Sequence, residues 1–224
     1  MKGKVLGSVQ PAYLAWLPFF ERMKVADVFI YLDDVEYSKN SFHNRNCIKT
    51  PQGVHILTVP ILYKGNSKAF ISQIKIDYSQ KWQDKHWKTI QHCYRKAKYF
   101  DDLSPGIFNI LMRPWESLAD LTVEFLDFFR GYLGIQTPCF RSSMVAVQGA
   151  ANEKLVNLCK YFSADYFIVK PSTEEYHPAS AFKDHGIEFQ FFVAYNKIYP
   201  QLYGKFLPGL SILDYAMNCG PNSF

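Results

Sequence analysis

Residues 5–34 confine this chain to a narrow set of folds. Val5 to Val9 is an apolar run of strand length, and Gln10-Pro11 ends it. Leu14 to Val25 then repeats apolar residues at helical spacing. Pro18 places the helix start near itself, because the N–H that proline lacks is unneeded only in a first turn. Asp27 to Asp34, DVFIYLDD, is a second β-rich run, closed by acids. Strand, polar turn, helix, strand is a βαβ unit. It favours parallel pairing, with a ligand crevice outside the carboxyl ends of the strands. Gln10, Pro11, Tyr13, Asp33 and Asp34 all belong to that edge. The expectation is an α/β fold with a Rossmann-like βαβ opening and a mainly parallel sheet.

Downstream, Cys47–Thr50 and Val54–Val59 flank Pro51-Gln52-Gly53, which reads as a β-hairpin insertion with a proline-initiated turn. Ile71 to Asp77 alternates apolar and polar positions, as a half-solvated strand does. From about 79 to 134 the pattern is helical, punctuated by Pro105, Gly106 and Pro114, with Trp115, Leu118, Leu121, Phe125 and Phe128 at core spacing. A helix at Asn152–Tyr161 and strands at Tyr166–Lys170 and Glu188–Ala194 follow. With 48% apolar residues and no repeat or linker, 1–224 reads as a single α/β domain with a helical middle segment.

Composition excludes several classes. Five scattered cysteines without a CxxC pair argue against a disulfide framework and a zinc site. The N-terminus carries no signal-peptide h-region and no run has the length of a membrane span, so a cytoplasmic location is expected without membrane insertion. The basic run Lys81–Lys98 interleaves with Trp82, Trp87 and Tyr94. Its spacing fits an amphipathic helix with a solvated basic face rather than a nucleic-acid surface. The modest charge of +5 suits an anionic small substrate instead.

Chemistry concentrates in Asp33–Pro51, DDVEYSKNSFHNRNCIKTP. His43 supplies a base titrating near neutrality, Asn44 and Asn46 supply amide donors, and Arg45 can fork onto a pyrophosphate or carboxylate. Asp33 or Asp34 can orient His43 or hold a substrate ammonium; adjacent acids on a strand face opposite sides, so one of them reaches the site. Oxygen ligation of Mg²⁺ by the same pair is the metal alternative, and no metal site is assigned. Gln10, Tyr13 and Trp16 complete the pocket edge, with an aromatic face for stacking. Cys47 lies four residues from His43 and reads either as an acyl-accepting nucleophile or as a small buried hydrophobe. GxSxG, GxxxxGK[ST] and GxGxxG are absent. A second polar collection ends the chain: Tyr199, Gln201, Gly204, Phe206, Pro208, Ser211, Asp214, Asn218 and Gly220. There Ser211 reads as a helix cap with Asp214 in the first turn.

The opening resembles that of nucleotidylyltransferases and pantothenate-synthetase-like ligases, but Gln10-Pro11-Ala12-Tyr13 stands where those carry an HxGH pair. A closer resemblance covers nearly the whole chain. VQPAYLAWLPFFERM (9–23), YLDDVEYSKNSFHNRNCIKTPQG (31–53), LTVP (57–60) and YPQLYGKFLPGLSILDYAMNCG (199–220) look like the WbqC-like protein family. Ala15 and Pro18 stand where that pattern has proline and glycine, and Cys47 follows HNRN where a basic residue is common. The resemblance implies a bacterial enzyme of O-antigen or other surface polysaccharide synthesis acting on an activated sugar. Acyl or glycyl transfer onto an amino sugar is the suggested role. The expected partner is a nucleotide-linked amino sugar. The donor is an acyl thioester on coenzyme A or an acyl carrier protein, or an acyl adenylate made from ATP. A ligase of nucleotidylyltransferase-like fold and a non-catalytic sugar-nucleotide-binding protein are the alternatives. His43, Asp33, Asp34 and Asn44 are the candidate catalytic residues; Gln10, Tyr13, Trp16, Arg45, Asn46, Gln201 and Asp214 are the candidate substrate contacts.

Overall fold

A computed structural model describes residues 3–63, 68–171, 178–195, 197–221 and 224. The first half of the chain runs β1 (Val5–Val9), α1 (Leu17–Lys24), β2 (Val28–Tyr31), β3 (Arg45–Thr50), β4 (Gly53–Thr58), β5 (Ile61–Leu62), β6 (Lys75–Ile76), α2 (Trp82–Tyr94) and α3 (Phe100–Met112). It continues through α4 (Leu118–Tyr132), β7 (Cys139–Arg141), α5 (Ala151–Tyr161), β8 (Tyr166–Val169), α6 (Ala179–Lys183), β9 (Glu188–Phe191) and α7 (Ile212–Cys219). These elements form two compact units.

The first unit comprises Met1–Val9, Pro18–Leu32 and Gln136–Tyr195. Its five strands lie in the order β7-β2-β1-β8-β9, every pair parallel. Numbered along the chain that order is 3-2-1-4-5, so the direction of winding reverses between β1 and β8. The expected α/β architecture with a parallel sheet is present. Alternation along the strands divides the side chains between two faces. Leu6, Val28, Ile30, Phe167 and Val169 pack with Leu155, Val156, Leu158 and Cys159 of α5 and with Phe182 of α6. Phe29 meets Phe19 of α1 and Tyr31 of its own strand. Gly7 is required there, since a Cβ would lie 2.8 Å from the Phe29 ring.

The second unit comprises Gln10–Leu17, Asp33–Ile135 and Asn196–Phe224. The hairpin β3–β4 pairs antiparallel from Arg45↔Thr58 to Thr50↔Gly53, leaving Pro51-Gln52 as a two-residue turn. The strand begins at Arg45, so Arg45 and Asn46 sit in a ladder rather than in a polar loop. Two other expectations are corrected. Ile71–Asp77 is not one strand: Ile71–Gln73 is a 3₁₀ turn and only Lys75–Ile76 pairs, with β5. Pro105-Gly106 does not break the helix either, because α3 runs through both. Gly106 answers a packing need, since a Cβ would lie 2.3 Å from the Phe128 ring. Leu103, Ile107, Leu111, Leu118, Leu121, Phe125 and Phe129 form the buried seam of α3 and α4. Pro114 lies between the two helices, as its missing donor demands.

Candidate functional site

Every candidate catalytic or substrate-contact residue read from the sequence belongs to the second unit. Three separate segments meet there: 10–16, 33–49 and 199–214. The first two are joined by backbone, Tyr13 N–H donating to the Phe42 and His43 carbonyls at 3.1 Å each. Leu14 takes a left-handed conformation (φ 46°) that a leucine adopts only under support. Asn46 gives that support, its Nδ2 donating to the Tyr13 and Leu14 carbonyls at 3.1 and 2.9 Å. The third segment joins through Ser211 N–H to the Cys47 carbonyl (2.9 Å) and Ile212 N–H to the Ala15 carbonyl (2.7 Å).

His43 lies at the centre of the first junction. Its Nδ1 is 3.1 Å from the Pro11 carbonyl, which can only accept, so Nδ1 carries the proton. Nε2 is left as a bare lone pair, buried and without a partner. Burial pushes the imidazole pKa down, and the Pro11 bond partly opposes it. The ring lies 5.5 Å from that of Tyr37. Asn44 accepts from Tyr37 Oη (3.1 Å) and donates to the Val59 carbonyl (2.8 Å). Asn44 and Asn46 are both buried, and their amides are spent on backbone and on Tyr37, so they hold His43's segment. Arg45 is half-buried and donates to the Asn40 carbonyl. Asp33 is buried and Asp34 half-buried, which separates the two acids.

The pocket edge expected from 10–16 divides. Gln10 is exposed and Trp16 is 37% exposed, its backbone bridged to Ser211. Tyr13 is instead wholly inside the unit. Its hydroxyl lies 2.9 Å from His86 Nδ1, and its ring meets Phe125 edge-on. Burial drives the His86 pKa down to about 4, against a bond to the Thr58 backbone. That leaves the imidazole neutral, with Nδ1 free to accept from Tyr13.

Gln201 and Asp214 belong to a second buried cluster, which sequence reasoning missed in part. Lys49 is 1% exposed, and its Nζ donates to Gln201 Oε1 (3.1 Å) and to the Lys205 carbonyl (2.6 Å). Tyr94 Oη accepts from Lys49 N–H and donates to Asp214 Oδ1 at 2.8 Å, while Tyr199 Oη donates to Oδ2 at 2.9 Å. Burial raises the Asp214 pKa; the two hydroxyls, Lys49's charge and Gln201 hold it back. Gln201 is further fixed by two bonds with the Leu207 backbone. Lys49, Tyr94 and His86 were not among the candidate site residues read from the sequence. Lys49 alone carried a signal, a lysine on the Cys47 side of a strand leading from the HNRN cluster.

Ser211 occupies the N-cap position of α7, as expected, but its hydroxyl makes no capping bond and is buried without a partner. Cys47 is half-buried and free. Among the described residues no group of His, Cys, Asp and Glu could hold a metal ion, and no helix is long and apolar enough to cross a membrane. Cavities of about 390 and 420 Å³ occur in the second unit, lined by residues around Gly106 and Phe128 and around His55 and His92. The candidate residues line neither.

Comparison with known proteins places these segments in context. The model of the WbqC-like protein family matches residues 10–224. An uncharacterized protein of Mycobacterium tuberculosis is 32% identical over 220 residues, covering 97% of this chain and 94% of its own length. No solved structure matches.

Proposed function

This chain belongs to the WbqC-like protein family, and from that premise we propose that it transfers an acyl or aminoacyl group onto the amine of a nucleotide-linked amino sugar. The setting is surface polysaccharide synthesis in the bacterial cytoplasm. The observation that carries the reading is His43. A fixed Nδ1–H tautomer leaves one bare Nε2 lone pair, and burial keeps the ring neutral at working pH. Such a nitrogen is suited to accept a proton and to little else.

In the proposed step the sugar amine attacks the donor carbonyl. A C–N bond forms, the bond from carbonyl carbon to the leaving thiolate or adenylate breaks, and the amine's proton passes to His43 Nε2 and on to the leaving group. Nε2 is enclosed, so the amine reaches it only when the side chains around the ring move aside. Asp33 or Asp34 holds the ammonium, which releases its first proton to water to become the attacking amine. Arg45 pairs with a phosphate oxygen, and Trp16 and Gln10 contact the sugar or base. Tyr13, Asn44, Asn46, Gln201 and Asp214 act by holding these groups in place. The donor is a thioester of coenzyme A or of an acyl carrier protein, or an adenylate made from ATP. The enclosure of Nε2 favours a second reading, a non-catalytic sugar-nucleotide-binding protein.

The test is mass spectrometry of nucleotide-linked 3-amino and 4-amino sugars incubated with the protein and either acyl thioesters or ATP with amino acids. An acyl mass gain is expected on the sugar. His43→Gln should cut its rate about 10²–10⁴-fold while the protein stays folded. The rate should also have an acid limb below the ordinary imidazole pKa of about 6.5, because burial lowers His43 and only its neutral form acts. Full turnover in the variant would remove His43 from the mechanism. No gain with any donor, alongside calorimetric binding of the sugar nucleotide, would leave the binding-protein reading.

A further inference from the structure

The net charge of this chain is concentrated in one segment. Residues 81–98 hold six Lys and Arg against one acid, Asp84, and that difference equals the whole +5. Acids and bases therefore balance over the rest of the chain. Within α2 and the residues that cap it, the basic side chains are ordered. Lys81, Lys85, Lys88, His92 and Arg95 recur at intervals of four, three, four and three. That spacing sets them along one side of the helix over about 21 Å. All five are exposed, while Trp82, His86, Ile90, Cys93 and Tyr94 turn inward. None of the five pairs with a described carboxylate, Asp84 included.

The cavity of about 420 Å³ lies beside this ridge, lined by Lys88 and His92 of α2 and by Val54 and His55 of β4, with no acid in its wall. Val54 is 56% exposed, an apolar contact point inside a basic rim. A row of unpaired positive charge next to a partly apolar hollow is complementary to the acidic face of another protein. A helix of that partner can repeat the same spacing and seat an aliphatic side chain against Val54. Nucleic-acid bases would find no ring to stack on along α2: Trp82 and Tyr94 are buried, and Trp87 packs on Phe100 and Phe108. A membrane would find no apolar face on α2 to take up, because that face is the inward one.

We propose that the basic ridge of α2 docks the acidic helix of an acyl carrier protein that brings the acyl thioester. The choice of partner rests on the transferase reading, since of the donors it allows only the carrier is itself a protein. The same helix supports the His43 segment from its other side. His86 lies 2.9 Å from the Tyr13 hydroxyl, and Tyr13 N–H bonds to the His43 carbonyl. A carrier seated on the outer side of α2 is thus held one helix away from the candidate base.

The test is isothermal titration calorimetry of the full chain with a purified holo-acyl carrier protein of strongly negative net charge. One-to-one binding is expected, weakening as salt rises. Lys88→Glu, at an exposed position, should weaken it about tenfold with an unchanged circular dichroism spectrum. Lys183→Glu makes the same charge change at an exposed position in the first unit and should leave binding as it was. The titration needs no turnover, so the two readings fail separately: carrier binding without acyl gain on the sugar supports the docking and counts against transfer alone. No binding, or equal losses in Lys88→Glu and Lys183→Glu, overturns the proposal. So does tighter binding of duplex DNA or of phosphatidylglycerol vesicles than of the carrier.

Discussion

Asp214 shows how much depends on single residues whose partners are distant in sequence. Its carboxylate takes two tyrosine hydroxyls and offsets a lysine that is almost wholly enclosed. Removing one member of such a set leaves the other's charge buried. Asp214→Asn should therefore cost about 3 kcal/mol in urea unfolding, against about 1 kcal/mol for Tyr199→Phe, which deletes one hydroxyl. Equal losses in the two variants would show that Lys49's charge is compensated elsewhere. The same residues explain what the sequence could and could not disclose. His43, Asn44 and Asn46 stood out because they fall within four consecutive residues. Lys49 and Gln201 are 152 residues apart, Tyr94 and Asp214 are 120 apart, and no local pattern relates either pair. Tyr13 was legible as a member of a motif. Nothing nearby announced that its hydroxyl would turn inward to His86, 73 residues on.

Elements were more readable than contacts, because their signals are local. β1, α1 and β2 follow from apolar runs separated by breakers, and the β3–β4 turn from Pro51-Gln52-Gly53. The 71–77 segment misled because alternation also describes a 3₁₀ turn followed by two paired residues. α2 contributes more than a solvated basic face, since His86 ties it to Tyr13 and to the Thr58 backbone. Its folded pKa of about 4 lies below the ordinary 6.5, so between those values the unfolded chain binds the extra proton. Stability is full above about pH 6.5 and falls as the pH drops toward 4, by roughly 3 kcal/mol in all. His86→Gln should flatten that slope in denaturant titrations at several pH values. A variant with the original slope would place the titration on another group.

At the scale of the molecule, the chain leaves and re-enters each unit: the first is assembled from 1–9, 18–32 and 136–195. β1 pairs with β2 at a separation of about two dozen residues, but with β8 only across some 160. Nascent chains halted at successive lengths should accordingly show protease protection of β1 only once β8 has cleared the ribosome. Protection of β1 in chains ending near 135 would refute that order. At about 5–20 residues per second, the opening strand waits roughly ten to thirty seconds for its second neighbour. Throughout that interval an apolar strand edge stands open to any other growing chain. A fold whose central strand is made first and completed last leaves that strand half-paired until most of the chain has been made.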